Sequence, residues 1–388
     1  MDLDLDYPAV SDLRRRAKRR IPHFAFEYLD SGTGAELQVA RNRDALDAVQ
    51  FMPEVLVGDV DPSWETAFMG DTYGRPFGIA PLGMSGLMWP GAERLLATAA
   101  ARHRLPYGLS TVATKLPEEI GPLAGGMGWF QLYCPEAADI RQDILRRAKA
   151  SGFTKLILTL DVPDDSRRER QRRARRSLPP KVTPRFILDL LTHPRWSLGT
   201  LKEGAPRSVL AESYLESHGS RSSLEHAGHL IRGKPDWDTL KALRDEWDGH
   251  LGVKGVLDPE QGQKLMDAGA DAIWVSNHGG RQFEPGPAAI EMLPKMRAAL
   301  PDAPILFDSG VATGMDVLRA LALGADFVML GRAWHYAVAA FGARGIDHLL
   351  HILTDDMKLN MAQIGAHSLG DLGRRLLRGR RGLPEGEV

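Results

Sequence analysis

The chemistry of this chain is concentrated in one heptapeptide, Ser276-Asn277-His278-Gly279-Gly280-Arg281-Gln282. Histidine is the natural proton acceptor near neutral pH. The glycines after His278 let the backbone turn sharply and leave the ring open to a ligand. Arg281, three residues on, reaches the same space, and its forked N–H donors suit a carboxylate. Asp161, in Thr159-Leu160-Asp161, is suited to orient His278 and stabilise its imidazolium form. A lone histidine is more often structural, but this setting favours a catalytic one.

These groups need a scaffold that brings distant segments together. Short apolar runs predict strands at Phe77–Pro81, Tyr107–Ser110, Trp129–Tyr133, Leu156–Asp161, Leu251–Lys254, Ala272–Ser276, Ile305–Asp308 and Phe327–Leu330. Helical patterns fall between them, at Ala92–His103, Ala137–Ala150, Pro259–Ala268, Gly286–Ala299 and Thr313–Leu323. Eight strands alternating with helices imply a single (β/α)8 TIM barrel domain over residues 1–388, an α/β fold with one or two N-terminal capping helices. Such barrels place function at the C-terminal strand ends. Polar or glycine residues collect there: Pro81-Leu82-Gly83, Ser110, Gln131, Tyr133, Thr159, Lys254, Ser276, Asp308-Ser309-Gly310 and Gly331-Arg332. The last two follow strands 7 and 8, where barrels often bind phosphate, and Arg332 suits its oxygens.

The chain has 388 residues, 43% hydrophobic and 26% charged, enough to bury a large core and too apolar for global disorder. Its 49 basic and 50 acidic residues nearly cancel, so no overall field recruits nucleic acid, and no recognition motif for it occurs. The single cysteine, Cys134, rules out an internal disulfide framework and fits a reducing compartment. Histidines show no metal-ligand spacing, so no metal is expected. No apolar run reaches the roughly 18 residues of a membrane span, and the start lacks the apolar core of a secretory signal. A cytoplasmic location follows, or the inner face of the cell membrane.

A long insertion, residues 164–250, follows strand 4. Its first part is basic (Arg167, Arg168, Arg170, Arg172, Arg173, Arg175, Arg176, Lys181), and Val182–Thr200 then carries Phe186, Ile187, Leu188, Leu190, Leu191 and Trp196. One reading is a charged run before a helix that packs on the barrel or a neighbouring subunit. The other is a segment that docks on an anionic membrane. The arginine- and glycine-rich tail after about Arg374 is expected to fray.

The heptapeptide resembles the signature of the FMN-dependent 2-hydroxy acid oxidases and dehydrogenases, the family of glycolate oxidase, flavin-type L-lactate dehydrogenase and mandelate dehydrogenase. The resemblance runs from about Tyr7 to Leu372 and includes Ile79–Met84, Phe130–Tyr133, Thr159–Pro163, Val253–Val256, Asp308–Val311, Ala322–Asp326 and Leu330–Arg332. It implies oxidation of an L-2-hydroxy acid, with L-lactate the first choice, to the 2-oxo acid. His278 would be the base with Asp161 its partner. Tyr28, Arg281 and Arg168 would bind the substrate carboxylate, and Tyr133 the substrate hydroxyl. Pro81, Leu82, Gly83, Ser110, Gln131, Thr159, Lys254 and Ser276 would line FMN, with Lys254 at its N1–C2 edge. Asp308, Gly310, Gly331 and Arg332 would hold the ribityl phosphate end. Electrons would pass to a quinone or cytochrome, or to oxygen in an oxidase of the glycolate type, and a homotetramer is the family's habit.

The chain departs from the family pattern at Ala312, where arginine is usual, at Val112, where a larger residue is common, and at Arg170-Gln171-Arg172-Arg173-Ala174. Two further readings are a flavin-binding regulator without turnover, suggested by those departures, and a flavin barrel isomerase acting on a diphosphate. The set of Tyr28, Tyr133, Asp161, His278 and Arg281 argues against the first, and Arg281 beside the base against the second.

Overall fold

The computed structural model describes residues 1–174, 183–217 and 231–377. The expected positions Arg175, Arg176 and Lys181, and the tail from residue 378, lie outside the described residues. Eight parallel strands close into a barrel: β1 (Phe77–Ile79), β2 (Tyr107–Ser110), β3 (Gly128–Leu132), β4 (Lys155–Thr159), β5 (His250–Val256), β6 (Ala272–Val275), β7 (Ile305–Phe307) and β8 (Phe327–Leu330), with β8 paired to β1. Successive side chains of a strand face opposite ways. Trp129, Ile157, Trp274 and Phe327 therefore fill the barrel, while Phe130, Leu156, Leu158 and Val328 pack outward on the helices. Strands buried on both faces read as continuous apolar runs, which is why they were legible.

A helix separates each strand from the next. The segment 164–250 holds helices Glu169–Arg173, Pro184–Thr192, Pro194–Glu203 and Val209–Ser217, then Trp237–Glu246 directly before β5. That last helix is fastened to the preceding barrel helix by Arg141, whose guanidinium meets both Glu246 oxygens at 2.8 and 2.7 Å.

The N-terminal part is larger than the one or two helices expected. Four helices (Leu3–Asp6, Val10–Arg20, His23–Asp30, Leu37–Ala48) precede a hairpin of Thr66–Phe68 and Asp71–Tyr73. The hairpin was missed because its strands are only three residues long and lack a sustained alternation. It plugs the end of the barrel where the strands begin. Phe68 and Tyr73 enter the interior cluster, Trp129 Nε1 donates to the Tyr73 hydroxyl at 3.0 Å, and Asp71 pairs with Lys155 at the start of β4. The two helices His23–Asp30 and Leu37–Ala48 reach the opposite end. The chain beyond Arg374 does not fray at once: Leu376 bridges Phe51, and the Leu377 N–H donates to the Gln50 carbonyl.

Because the plug is remote from the opposite mouth, Phe68→Ala is expected to cost about 3–5 kcal/mol of stability and leave turnover of the folded enzyme unchanged. Urea unfolding and dye-linked assays on the same sample check it. A loss below about 1 kcal/mol would mean that the plug is not part of the core.

Candidate active site

Strand register sets side chains next to one another at the mouth. Ser110 lies beside Gln131 and Thr159 beside Lys254. Ser110 Oγ donates to Gln131 Oε1 at 2.7 Å, which leaves the buried Gln131 Nε2 without a partner. Thr159 Oγ1 is buried and unpartnered as well. Unsatisfied buried polar atoms are costly and call for a ligand that completes them. An amide donor and a hydroxyl at neighbouring strand ends fit the hydrogen-bonding edge of a flavin ring.

The loop after β6 has an unusual backbone. His278, Gly279 and Gly280 have φ of 56, 61 and 76° in succession. The left-handed region disfavours side chains, so His278 is held there by its surroundings. Ser276 Oγ accepts the His278 N–H at 3.0 Å, and Ser309 Oγ accepts those of Asn277 and Gly279 at 3.1 and 3.2 Å. Asn42 and Asn277 exchange amide hydrogen bonds of 2.9 and 2.7 Å. Sequence reasoning missed Asn42, whose role is contact with a loop more than 200 residues away, and it placed Ser309 among the polar strand ends without its contact to the loop after β6.

His278 Nδ1 sits 3.0 Å from Asp161 Oδ1. The approach depends on Gly255. Its φ of 96° and a Cβ that would fall 2.5 Å from Asp161 Cβ leave no room for a side chain. Burial lowers the His278 pKa below its ordinary value and Lys254 adds to this, although Asp161 pulls the other way. Burial alone would raise Asp161, but His278 and Lys254 hold it below the usual carboxylate range. The site thus favours a neutral imidazole with Nδ1 on an anionic carboxylate, leaving Nε2 to accept a proton.

Lys254 is 4% exposed. Its ammonium donates to Ser276 Oγ at 2.8 Å and lies 3.4 Å from Asp308 and 4.0 Å from Asp161. Burial opposes its charge, but the two carboxylates overcome this and raise its pKa. Asp308 also accepts from Ser276 at 2.5 Å and from Ser309 at 2.8 Å, so its carboxylate is engaged with Lys254 and its neighbours. Burial raises the Tyr133 pKa, which keeps its hydroxyl protonated.

Three arginines crowd the same mouth. Arg168, with φ of 41°, donates to Ser166 Oγ at 3.1 Å and, among the described residues, to no other group. Arg281 donates to the carbonyls of Tyr28 (2.8 Å), Leu29 (3.2 Å) and Ser31 (2.7 Å) and stands over the Tyr28 ring. Its Nη groups fasten the end of the His23–Asp30 helix, and Nε makes none of these bonds. Arg332 Nη2 donates to the Gly279 carbonyl at 2.9 Å, and its Nε is buried without a partner. Among the described residues, none of the three has a carboxylate in ion-pair range. Burial, Arg168 and Arg332 together lower the Arg281 pKa. Uncompensated cations partly withdrawn from water are expensive, and an anionic ligand relieves the cost.

The remaining expected residues line the rim. The Tyr28 hydroxyl lies 3.3 Å from the Gly83 carbonyl. A Cβ on Gly83 would fall 2.4 Å from Val112, so Val112 packs against this turn. A Cβ on Gly331 would fall 2.7 Å from Leu82, which brings the ends of β1 and β8 together. Pro81 packs on Gly108, and Gly310 lies against Leu46 and Asn42. Ala312 offers its N–H to Asp316 at 3.0 Å, and the nearby Arg43 is engaged by Asp316 at 2.8 and 2.7 Å.

Arg170 was noted only as one of a basic run and as a departure, yet it ties the loop after β4 to the N-terminal helices. Its guanidinium meets Glu27 at 2.6 Å, Asp30 at 2.7 Å and Glu36 at 2.9 Å. Asp30 also takes Arg14 and the Tyr336 hydroxyl, and these partners hold it well below the usual carboxylate range despite its burial. Arg168 and Tyr28 sit on the two segments so joined.

Two outcomes follow. A base must be unprotonated, so kcat/KM should fall as pH drops through the His278 pKa, which burial places below the ordinary value of about 6.5. The midpoint is expected below that value, and a midpoint above it would contradict the assignment. Arg170→Ala should lower kcat/KM about ten- to a hundredfold, mainly through KM, because it loosens the segments that carry Arg168 and Tyr28. Unchanged steady-state constants would remove that role.

Comparison with known proteins accords with this geometry. The family model for FMN-dependent dehydrogenase matches residues 17–379. The chain is 37% identical over 367 residues to an L-lactate dehydrogenase of Pseudomonas aeruginosa, covering 94% of this chain and 96% of that protein. Among solved structures it resembles the monotopic membrane protein (S)-mandelate dehydrogenase, with TM-score 0.89, 34% identity and 96% and 99% of the two chains covered. It also resembles mandelate oxidase, with TM-score 0.80, 30% identity and coverage of 96% and 98%. The chain belongs to the FMN-dependent 2-hydroxy acid oxidase and dehydrogenase family, and FMN is its cofactor.

Proposed function

We propose that this dehydrogenase acts on L-lactate, with His278 as base, and delivers electrons to a quinone or cytochrome at a membrane surface. The observation that carries the reading is the pairing of a neutral His278 with arginines that, among the described residues, lack carboxylate partners, the environment a hydroxy acid anion requires. The relatives named L-lactate dehydrogenase support the choice of acid.

Bound FMN supplies a two-electron acceptor. Gln131 Nε2, Thr159 Oγ1, Ser110 and Ser276 are suited to hold its ring, with Pro81, Leu82 and Gly83 along it and the Lys254 ammonium to stabilise added negative charge. Gly310, Gly331 and Arg332 suit the phosphate, and Asp308 acts through Lys254. Arg168, Tyr28 and Arg281 bind and orient the substrate carboxylate. Tyr133 donates to or accepts from the substrate hydroxyl. His278 Nε2 takes one proton as the C–O bond becomes a carbonyl, and Asp161 stabilises the imidazolium so formed.

The membrane part rests on the two helices Pro184–Thr192 and Pro194–Glu203. Leu188, Leu191, Leu198 and Leu201 are 60, 72, 67 and 82% exposed. Trp196, expected on the docking face, is instead buried, its indole N–H donating to the Leu87 carbonyl at 3.0 Å. An exposed apolar face beside arginines suits insertion into the bilayer interface, and one relative is described as a monotopic membrane protein. No described helix is long and apolar enough to cross a membrane. A second reading, an oxygen-using oxidase, is supported by the likeness to mandelate oxidase.

His278→Ala should retain FMN and lose flavin reduction by about 10²–10⁴-fold or more. The test mixes the FMN-loaded variant with L-lactate without oxygen and follows the visible flavin band; bleaching at the wild-type rate refutes the base. The wild type, screened with L-lactate, glycolate and L-mandelate, should bleach fastest with L-lactate, and another order would overturn the substrate. Turnover with a quinone analogue should exceed oxygen consumption, and the reverse would favour the oxidase.

A further inference from the structure

A second cationic site lies outside the barrel mouth. The Val10–Arg20 helix and the start of the Pro194–Glu203 helix enclose an open cavity of about 460 Å³ whose wall carries Arg15, Arg16, Arg19, Arg20 and Arg195. Two acidic side chains, Asp6 and Asp12, share this wall, and Asp12 is already taken by Arg15 and the Ala9 N–H. Among the described residues, Arg16, Arg19, Arg20 and Arg195 have no carboxylate in ion-pair range.

Arg16 and Arg20 are held in place without being neutralised. Arg16 donates to the Ala340 carbonyl at 3.1 Å and the Tyr7 hydroxyl at 2.8 Å. Arg20 donates to the same carbonyl at 2.7 Å and lies over the Trp89 ring. Burial, Arg16 and Arg195 lower the Arg20 pKa, the mark of a cation facing like charge. Fixed guanidinium groups converging on one space form a phosphate site.

The occupant is indicated by what adjoins the cavity. Arg195 belongs to the helix that exposes Leu198 and Leu201, and that helix is paired with the one exposing Leu188 and Leu191. A phosphate and an apolar chain are then recognised side by side. We propose that this cavity binds the phosphate of an anionic phospholipid whose acyl chains meet the exposed leucines. The cavity would then fix the enzyme's orientation on the membrane, beyond simple attraction to it. The occupant rests on the membrane reading above; the cationic cavity itself does not.

The test is co-flotation of the full FMN-loaded protein with vesicles of pure phosphatidylcholine or of phosphatidylcholine with phosphatidylglycerol. Arg19→Gln/Arg195→Gln removes two cations that make no hydrogen bond or ion pair to described residues. Leu191→Asp/Leu198→Asp removes apolar contact instead. Wild type should prefer the anionic vesicles. The arginine variant should lose at least about tenfold in affinity for them, keep its binding to pure phosphatidylcholine, and retain dye-linked turnover. The leucine variant should lose binding to both vesicles. An arginine variant that keeps the full anionic preference overturns the site. So does a wild type that binds both vesicles equally, which leaves the membrane reading standing, whereas no binding to either sinks both. Calorimetric binding of inorganic phosphate, lost in the arginine variant, without any vesicle preference would assign the cavity to a free phosphate and overturn the lipid.

Discussion

A buried ammonium organises the mouth of this barrel. Lys254 sits between Asp308 and Asp161 and on Ser276, so one cation touches groups from β4, β5, β6 and β7 or the turns after them. A charge in that position costs several kcal/mol unless its partners are well placed. The strands must therefore keep their register, and the Asp161 that answers Lys254 also holds His278. The left-handed loop at His278 and the bare Cα of Gly255 are consequences of bringing that carboxylate and imidazole together.

The arginines supply the opposite condition. Lys254 is compensated from within the protein, whereas among the described residues Arg168, Arg281 and Arg332 have no carboxylate in ion-pair range. In the proposed function their charge meets the substrate carboxylate and the cofactor phosphate. That division explains why a neutral His278 is sustained: burial and nearby cations both discourage a proton on the ring until negative charge arrives. Arg170 makes the loop after β4 part of this arrangement by spending itself on three carboxylates of the N-terminal segment.

Much of this was legible in the chain. All eight barrel strands were visible because burial on both faces leaves continuous apolar runs, and their polar ends followed directly. Tyr107–Ser110 and Phe327–Leu330 match residue for residue, while the other six strands differ by a residue or two at their ends. β5 runs on to Val256 through a register shift at Gly255, and a periodic pattern carries no sign of such a bulge. The heptapeptide around His278 announced itself by its composition. What stayed hidden were partners fixed by three-dimensional proximity alone. Asn42, Ser309 and Arg170 are ordinary residues in ordinary local contexts. The inward turn of Trp196 was equally hidden, since an aromatic on an amphipathic helix fits either face until its neighbours are known.

The central claim is that His278 shares one ligand-binding space with Arg168 and Arg281, which have no carboxylate partner among the described residues. The most direct measurement is a crystal structure of the FMN-loaded enzyme with a bound 2-oxo acid. The ligand carboxylate should lie within hydrogen-bonding distance of Arg281 or Arg168, with His278 Nε2 facing the oxygen that derives from the hydroxyl. A ligand carboxylate that meets neither guanidinium, or a His278 ring turned from the ligand, would contradict it.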